Sequence, residues 1–221
     1  MFASVKNHCY TMAGFYKRVM YMLKKTEVVL FDFDGTLSGP DSNVEFARYC
    51  FRRSFRPWLY LPLMGVCGVA RWVRPNGVWW RENIRRFLTP EMVRRFAPGF
   101  IKQHKRERFG WAKDRVQSER DAGRKVLMIS ASPDYLLRPL VRDMKFDAVF
   151  CSKMDSKKPW KYDFLCWGQN KVVAMDEWAK ENKIIPHVVR AYSDSKSDMP
   201  MMEIADEQVW IDKKTGLRKQ A

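Results

Sequence analysis

The segment VVLFDFDGT, residues 28–36, joins a continuous apolar run to two closely spaced aspartates. An uninterrupted β-branched and aromatic run of this kind is typical of a parallel strand that is buried on both faces. Side chains two residues apart lie on the same side of an extended strand, so Asp32 and Asp34 point into one space while Phe33 turns into the core. Gly35 permits a tight turn directly after them. The segment predicts a buried strand that ends in two carboxylates.

Similar apolar runs recur along the chain. They predict further strands at 125–129, 147–150, 188–192 and 208–211, with helical patterns at 135–144 and 171–180. This alternation predicts an α/β fold with a doubly wound parallel sheet. Ligands of such sheets bind at the carboxyl ends of the strands, and Ser130 and Asp194 follow two of the runs. We therefore expect both residues to lie near Asp32 and Asp34.

A long insertion between Asp34 and Ser130 interrupts this alternation of strands and helices. It is rich in Arg and Trp, has helix-like spacing and contains no convincing strand. The predicted organisation is a basic extension at 1–24, a catalytic core at 25–38 and 122–221, and a helical cap at 39–121. A second excursion at 152–170 is interpreted as a loop or a hairpin flap.

The charge balance indicates an anionic partner. Lys and Arg number 41 against 25 Asp and Glu, which gives a formal charge of +16. Nucleic acid, acidic lipid and phosphorylated metabolites all fit this balance. The five cysteines form no C-x-x-C motif and leave one unpaired, which argues against a disulfide framework and indicates a reducing compartment, the cytosol. Residues 1–25 contain no uniform apolar core, so no secretory peptide is predicted.

Two carboxylates as close as Asp32 and Asp34 repel each other unless a cation lies between them or one is protonated. Magnesium fits, because it binds one or two carboxylates together with substrate phosphate oxygens. An EF-hand does not fit, because Gly35 is the fourth residue of the motif and Asn43 the twelfth, where a calcium loop needs glycine sixth and glutamate twelfth. Magnesium is thus the expected cofactor.

Three further segments carry candidate site residues. Asp194 and Asp198 form an acidic cluster after a predicted strand, although alone they would more often be turn and N-cap residues. Ser130 precedes a helix start whose backbone N–H groups could meet a phosphate oxygen, and Lys171 opens a predicted helix. Taken singly, the serine and the lysine are ordinary surface or turn residues.

Taken together and in order, these motifs resemble the haloacid dehalogenase superfamily of phosphohydrolases. The long insertion after the first motif resembles the branch with a helical cap, which includes phosphoserine phosphatase. Within that branch, ISASP at 129–133, WGQNKV at 167–172 and YSDS at 192–195 are most similar to phosphatidylglycerophosphatase C and its bacterial relatives. The resemblance implies a phosphatase with a Rossmann-like core and an inserted cap.

The resemblance also implies a role for each motif residue. Asp32 would be the nucleophile that forms an aspartyl phosphate, and Asp34 the general acid and base. Ser130 would donate a hydrogen bond to a phosphoryl oxygen, and Lys171 would balance the charge beside Asp32. Three other lysines compete for that last role, namely Lys157, Lys158 and Lys161.

The implied magnesium ligands are the Asp32 carboxylate, the Asp34 backbone carbonyl and Asp194, with Asp198 in support. One departure is Ser193, where most members of the superfamily have glycine before the aspartate. The residues expected to contact the substrate are Gly35, Thr36 and Ser132 at the strand ends and Arg56 and Arg71 in the cap.

The substrate depends on the apolar run at 57–70, fourteen residues without a charge between Arg56 and Arg71. A spanning helix needs about 20 residues, so the run is too short to cross a bilayer. The plainest interpretation is the buried core of the cap. The alternative is an interfacial patch, with nearby tryptophans and flanking arginines at anionic head groups.

The second interpretation favours a lipid phosphomonoester such as phosphatidylglycerophosphate. It places the protein peripherally on the inner face of the cytoplasmic membrane. The rivals are a phosphatase of soluble metabolites and a nucleic-acid-binding protein on an inactive scaffold. The charge and the nine tryptophans motivate the last, but the complete set of motif residues disfavours it. No protein partner is predicted, and none of the three histidines is assigned a role.

Overall fold

The computed structural model describes residues 24–75 and 77–219. Six strands are present: β1 (Lys24–Phe31), β2 (Lys125–Pro133), β3 (Ala148–Met154), β4 (Tyr162–Phe164), β5 (Ile184–Ser193) and β6 (Glu207–Trp210). Eight α-helices are described: α1 (Ser42–Phe51), α2 (Leu61–Val73), α3 (Val78–Asn83), α4 (Pro90–His104), α5 (Ala112–Asp121), α6 (Asp134–Val141), α7 (Gln169–Glu181) and α8 (Met199–Glu203). The predicted extension at 1–24 lies outside the described residues, except for Lys24, which begins β1.

The strands form one six-stranded sheet in the order β4-β3-β2-β1-β5-β6. All neighbouring pairs are parallel except β3 and β4, which are antiparallel. The five strands predicted from the sequence are all found, and the doubly wound α/β fold is confirmed. The antiparallel β4 turns the excursion at 152–170 into a hairpin, which is one of its two predicted forms.

Strand β1 lies at the centre of the sheet because its side chains are apolar on both faces. Val29 and Phe31 belong to one hydrophobic cluster, Val28 and Leu30 to the other, and all four are fully buried. The side chain of Phe33 is also buried, whereas Asp32 and Asp34 lie at the carboxyl end of the strand. The burial pattern predicted from the first motif is therefore the one observed.

Helix α5 differs from its predicted place in the cap. It contacts β2, its Val116 is fully buried, and its Glu119 accepts a hydrogen bond from the Tyr192 hydroxyl of β5 at 3.1 Å. The helix therefore lies against the sheet and not over the strand ends. Only Ala112 and Val116 of this helix are apolar, so the sequence carried little signal for its place against the sheet.

Most of the apolar run at 57–70 is not buried, so its plainest interpretation, the buried core of the cap, is wrong. Only Pro57 and Cys67 of this run are buried. The cause is that α2 packs mainly on α3 and on the turn Arg56–Tyr60, which cover one side of the helix. Among the described residues, no helix is long and apolar enough to cross a membrane.

Candidate active site

The centre of the site is an ion-paired cluster of three buried side chains. The Lys171 ammonium lies 2.8 Å from an Asp32 carboxylate oxygen and 2.7 Å from one of Asp198. Burial opposes the charge on Lys171, but the two carboxylates outweigh it and raise the pKa of the ammonium. Ser193, the departure from the family pattern, donates to Asp198 at 2.7 Å. Lys171 therefore stays positive and holds Asp32 in place.

Asp34 points toward the first turn of α1. Its carboxylate accepts hydrogen bonds from the Ser42 amide at 2.7 Å and the Ser42 hydroxyl at 3.0 Å, and also from the Ser132 hydroxyl. Burial, followed by repulsion from Asp41, raises the pKa of Asp34 to about 8 although these hydrogen bonds lower it. At neutral pH Asp34 is therefore an acid that holds a proton and can give it up.

Asp194 lies against the turn that follows β1. Gly35 has φ +76°, and a Cβ on this residue would collide with the Asp194 carboxylate. Burial and the neighbouring Asp198 raise the pKa of Asp194. No side chain in residues 24–75 and 77–219 donates a hydrogen bond to that carboxylate. Only glycine allows this approach, and it leaves an unpaired carboxylate next to the first motif.

The donor set fits a magnesium ion. Asp32 and Asp194 both line the cavity and carry carboxylate oxygens, the hard ligands that magnesium prefers. In the described part of the chain, no three acidic, His or Cys side chains are grouped closely enough to hold a metal by themselves. A backbone oxygen would therefore have to complete the set, as the sequence resemblance implied for Asp34.

These residues line a cavity of about 460 Å³. Its wall includes every predicted catalytic and metal-binding residue, together with Gly35 and Ser132. The other lining residues are Gly39, Asp41, Asn43, Arg81, Ala131, Tyr162, Leu165, Trp167, Ser195, Ser197, Lys213 and Lys214. The cavity thus gathers side chains from the strand ends, the cap, the flap and the C-terminal loop.

Residues 29–203 match the haloacid dehalogenase-like hydrolase family. The chain belongs to this family. The fold and the order of the motifs in this chain agree with that assignment, and the expected superfamily is confirmed. A specific closeness to phosphatidylglycerophosphatase C remains a prediction.

A curated protein is similar to part of the chain. The probable phosphatase Rv3661 of Mycobacterium tuberculosis (strain ATCC 25618 / H37Rv) is 30% identical over 116 residues, which cover 51% of this chain and 40% of that protein. The chain therefore spans less than half the length of this relative.

Two solved structures share the fold. A protein of unknown function from Bordetella pertussis Tohama I has a TM-score of 0.71 and 18% identity, covering 85% of this chain and 91% of that one. A phosphoserine phosphatase in a phospho-aspartyl intermediate analogue form has a TM-score of 0.60 and 18% identity, covering 85% and 87%. At this identity, the likeness concerns the fold alone.

Three residues predicted to contact substrate lie elsewhere. Thr36 is fully buried beneath Asp32, with its hydroxyl 3.5 Å from an Asp32 oxygen, and does not line the cavity. Arg56 donates to the Phe87 carbonyl at 2.8 Å, and the Arg71 guanidinium lies 5.3 Å from the Trp80 ring centre. These two arginines flank the apolar run and do not line the cavity, so their contact with substrate stays a prediction.

Of the four lysines considered for the place beside Asp32, the structure brings Lys171 there. Lys171 contacts Asp32, whereas Lys157, Lys158 and Lys161 are exposed and line no part of the cavity. The backbone amides of Lys157 and Lys158 instead donate to Asp155 and shape the flap turn.

A polar network behind Asp34 was missed in the sequence. Ser42 and Asn43, in the first turn of α1, both hydrogen-bond to the Ser132 hydroxyl, at 2.8 and 3.2 Å. Asn43 in turn accepts from Arg85 at 3.1 Å. The only local signal was Asp41, whose side chain caps the helix by accepting from the Asn43 and Val44 amides. That signal predicts a helix start and says nothing about its neighbours at the site.

Arg81 is the cap arginine at the cavity. Its guanidinium lies between two indole rings, 4.6 Å from the centre of Trp80 and 4.7 Å from that of Trp167. Within the described residues only three buried side-chain nitrogens lack a hydrogen-bond partner, and two of them belong to Arg81 and Arg85. Burial lowers the pKa of the Arg81 guanidinium. A positioned cation with a free donor is suited to an anionic ligand.

Proposed function

We propose that the chain hydrolyses phosphate monoesters through a covalent phosphate on Asp32, with magnesium as its cofactor. The observation that carries the proposal is the Asp32 carboxylate at the cavity wall, 2.8 Å from a buried ammonium and two residues from a second carboxyl group, whose pKa burial raises to about 8. Phosphoryl transfer requires mainly positioning and charge neutralisation, and this arrangement supplies both.

Magnesium would be held by the Asp32 carboxylate, the Asp34 carbonyl and Asp194, with Asp198 acting through Lys171. When bound, it would neutralise charge on the phosphoryl oxygens. The cavity otherwise has five carboxyl groups, four of them besides the proton-holding Asp34 (Asp32, Asp41, Asp194 and Asp198), together with the cations Lys171, Arg81, Lys213 and Lys214. This near balance favours a divalent cation together with a phosphate dianion.

The reaction would proceed in two steps that the chain's own residues carry. An Asp32 carboxylate oxygen attacks phosphorus, the ester P–O bond breaks, and Asp34 gives its proton to the leaving oxygen. A water molecule then gives a proton to Asp34 and attacks the same phosphorus, which releases phosphate and restores both acids. The raised pKa of Asp34 suits this exchange, because the group holds its proton near neutral pH.

Ser130 and Ser132 have different parts in this proposal. The Ser130 hydroxyl oxygen accepts from the Ser132 amide at 3.2 Å, which leaves the Ser130 proton free to donate to a phosphoryl oxygen. The Ser132 hydroxyl donates to Asp34 and is a positioning group. Thr36 supports Asp32 from below in the same way.

A lipid phosphomonoester such as phosphatidylglycerophosphate is the proposed substrate. A cap with little exposed apolar surface would favour a soluble metabolite, but α2 and α3 expose several large apolar side chains. Helix α3 also carries Arg81, so the exposed apolar surface and the cavity share one short helix. A soluble phosphate monoester is the alternative.

A phosphate-release panel tests the reaction and the substrate together. With magnesium, the protein should release phosphate from phosphatidylglycerophosphate in micelles faster than from short water-soluble phosphate esters. EDTA should abolish release, and added magnesium should restore it, because carboxylates alone cannot accommodate the incoming anion. Equal rates on both substrate types would exclude the lipid preference, and EDTA-resistant release would exclude the metal.

Arg81 should contribute to substrate affinity. Arg81→Gln should lower kcat/KM by about tenfold to a hundredfold, mostly through KM, because a hydrogen bond to a charged group contributes about 1.5–3 kcal/mol. Arg86→Gln is the matched control, since Arg86 also lies over a tryptophan, 5.0 Å from the Trp160 ring centre, but outside the cavity. Steady-state kinetics of both variants would decide, and equal effects would remove Arg81 from substrate binding.

A further inference from the structure

The cap exposes an unusual apolar surface. Of the fifteen large hydrophobic side chains exposed among the described residues, ten lie between Phe55 and Trp79. They are Phe55, Trp58, Leu59, Leu61, Val66, Val69, Trp72, Val73, Val78 and Trp79. We call the segment from Arg56 to Asn83, which includes α2 and α3, the cap hairpin. Clustered exposed hydrophobics of this kind mark an interaction surface.

The exposed side chains of α2 form one stripe. Val66, Val69 and Val73 follow three- and four-residue spacing, so they lie on one face of the helix, and Trp72 extends that face. Trp72 is 86% exposed and Val69 is 65% exposed. An apolar groove between α2 and α3 continues the surface, with Val66, Val69 and Val73 on one side and Val78 and Trp79 on the other.

The exposed charge around this surface is positive, and the one acid of the hairpin, Glu82, accepts a hydrogen bond from the Tyr162 amide. Residues 46–81 contain no Asp or Glu. This range has six exposed arginines: Arg48 pairs with Glu45, and the other five are Arg52, Arg53, Arg56, Arg71 and Arg74. Within the ranges 24–75 and 77–219, none of these five forms an ion pair with an acid. An apolar stripe bordered by free arginines complements a surface that is apolar inside and negative at its edge.

The dimensions of α2 fit insertion parallel to a membrane. Its thirteen residues extend about 20 Å, which is less than the roughly 30 Å of a bilayer core. Three exposed tryptophans, at 58, 72 and 79, have the amphipathic rings that prefer the head-group region.

We propose that the cap hairpin is a docking surface for an anionic lipid bilayer, into which Val66, Val69 and Trp72 insert while the surrounding arginines contact head groups. Two other occupants fit less well. Residues 1–23 contain Lys6, Lys17 and Arg18 and no acid, so they would bring positive charge to a positive surface. A second copy of the hairpin would do the same. Anionic lipid alone matches both the apolar stripe and the charge.

Vesicle binding by the full chain tests the proposal. The protein should co-sediment with vesicles made of equal parts phosphatidylcholine and phosphatidylglycerol, and less with phosphatidylcholine alone. Val69→Ser combined with Trp72→Ser should weaken this binding by about tenfold or more, because membrane affinity follows the apolar area that is buried. Leu217→Ser is the matched control, since Leu217 is also 65% exposed but lies far along the chain from the hairpin.

The possible results distinguish a lipid bilayer from a second copy of the chain as the partner of the cap hairpin. Equal vesicle binding by the double variant and the control would overturn the proposal, as would binding that ignores the anionic lipid. A dimer in size-exclusion chromatography that the double substitution dissolves, without vesicle binding, would assign the surface to a second copy. Unchanged melting of the double variant would show that folding is intact. Binding is measured without phosphate release, so its failure is distinct from failure of the proposed chemistry.

Discussion

Asp32→Asn should reduce magnesium-dependent phosphate release by about 10⁴-fold or more. The amide that replaces the carboxylate has no nucleophilic oxygen, and loss of a covalent nucleophile removes most of an enzyme's catalysis. Phosphate release from the preferred substrate measures the effect. Mass spectrometry after rapid quenching should find a covalent phosphate on the wild-type chain and none on the variant.

The variant should remain folded, which separates chemistry from stability. Burial raises the pKa of Asp32, so the charged carboxylate is costly in the fold and a neutral amide removes that cost. Lys171 keeps its second ion pair with Asp198 at 2.7 Å. Asp163→Asn, at an exposed aspartate of β4, serves as the control and should retain activity. Full activity of Asp32→Asn would mean that another group attacks the phosphate.

The parts of the fold that were predicted from sequence are those with a local physical signal. Strand β1 is predictable because four consecutive apolar side chains can all be buried only if both faces of the strand are covered. The structure buries all four completely. The meeting of Asp32 with Ser130 and Asp194 at one cavity followed from a topological rule that brings the carboxyl ends of parallel strands together. Neither inference needs knowledge of distant packing.

The cap could not be predicted in the same way. Sequence identifies many arginines there, but the one that lines the cavity is selected by Trp167, which lies far along the chain on the other side of the site. Arg56 and Arg71 were chosen because they flank the apolar run, and that run is on the outside. Apolar composition was equated with burial, whereas α2 is covered on one side only. The exposed side of a helix depends on how all the neighbouring helices pack against it.

Lys171→Met should be almost as damaging as the loss of the nucleophile, and for a different reason. Lys171 is fully buried between Asp32 and Asp198, so its removal leaves two close carboxylates without a counter-charge. Removing one partner of a buried ion pair typically costs about 3–5 kcal/mol. We expect thermal unfolding at a lower temperature and phosphate release reduced by about 10³-fold, because Asp32 then loses both its orientation and its charge balance.

The pH dependence of the stability of Lys171→Met, measured without magnesium, provides an independent check that the loss of the counter-charge is the cause. Without the ammonium, repulsion from Asp198 raises the pKa of Asp32 further, so the folded state holds a proton that the unfolded chain releases. Stability is then lost as pH rises and regained as pH falls, and the difference in melting temperature from wild type should shrink in acid.

Lys157→Met and Lys158→Met are matched controls, because both lysines are exposed and neither lines the cavity. If either control reproduced the loss of activity while Lys171→Met retained it, the assignment of the cation beside Asp32 would have to move to the flap. A deficit independent of pH would instead attribute the damage to packing around the methionine.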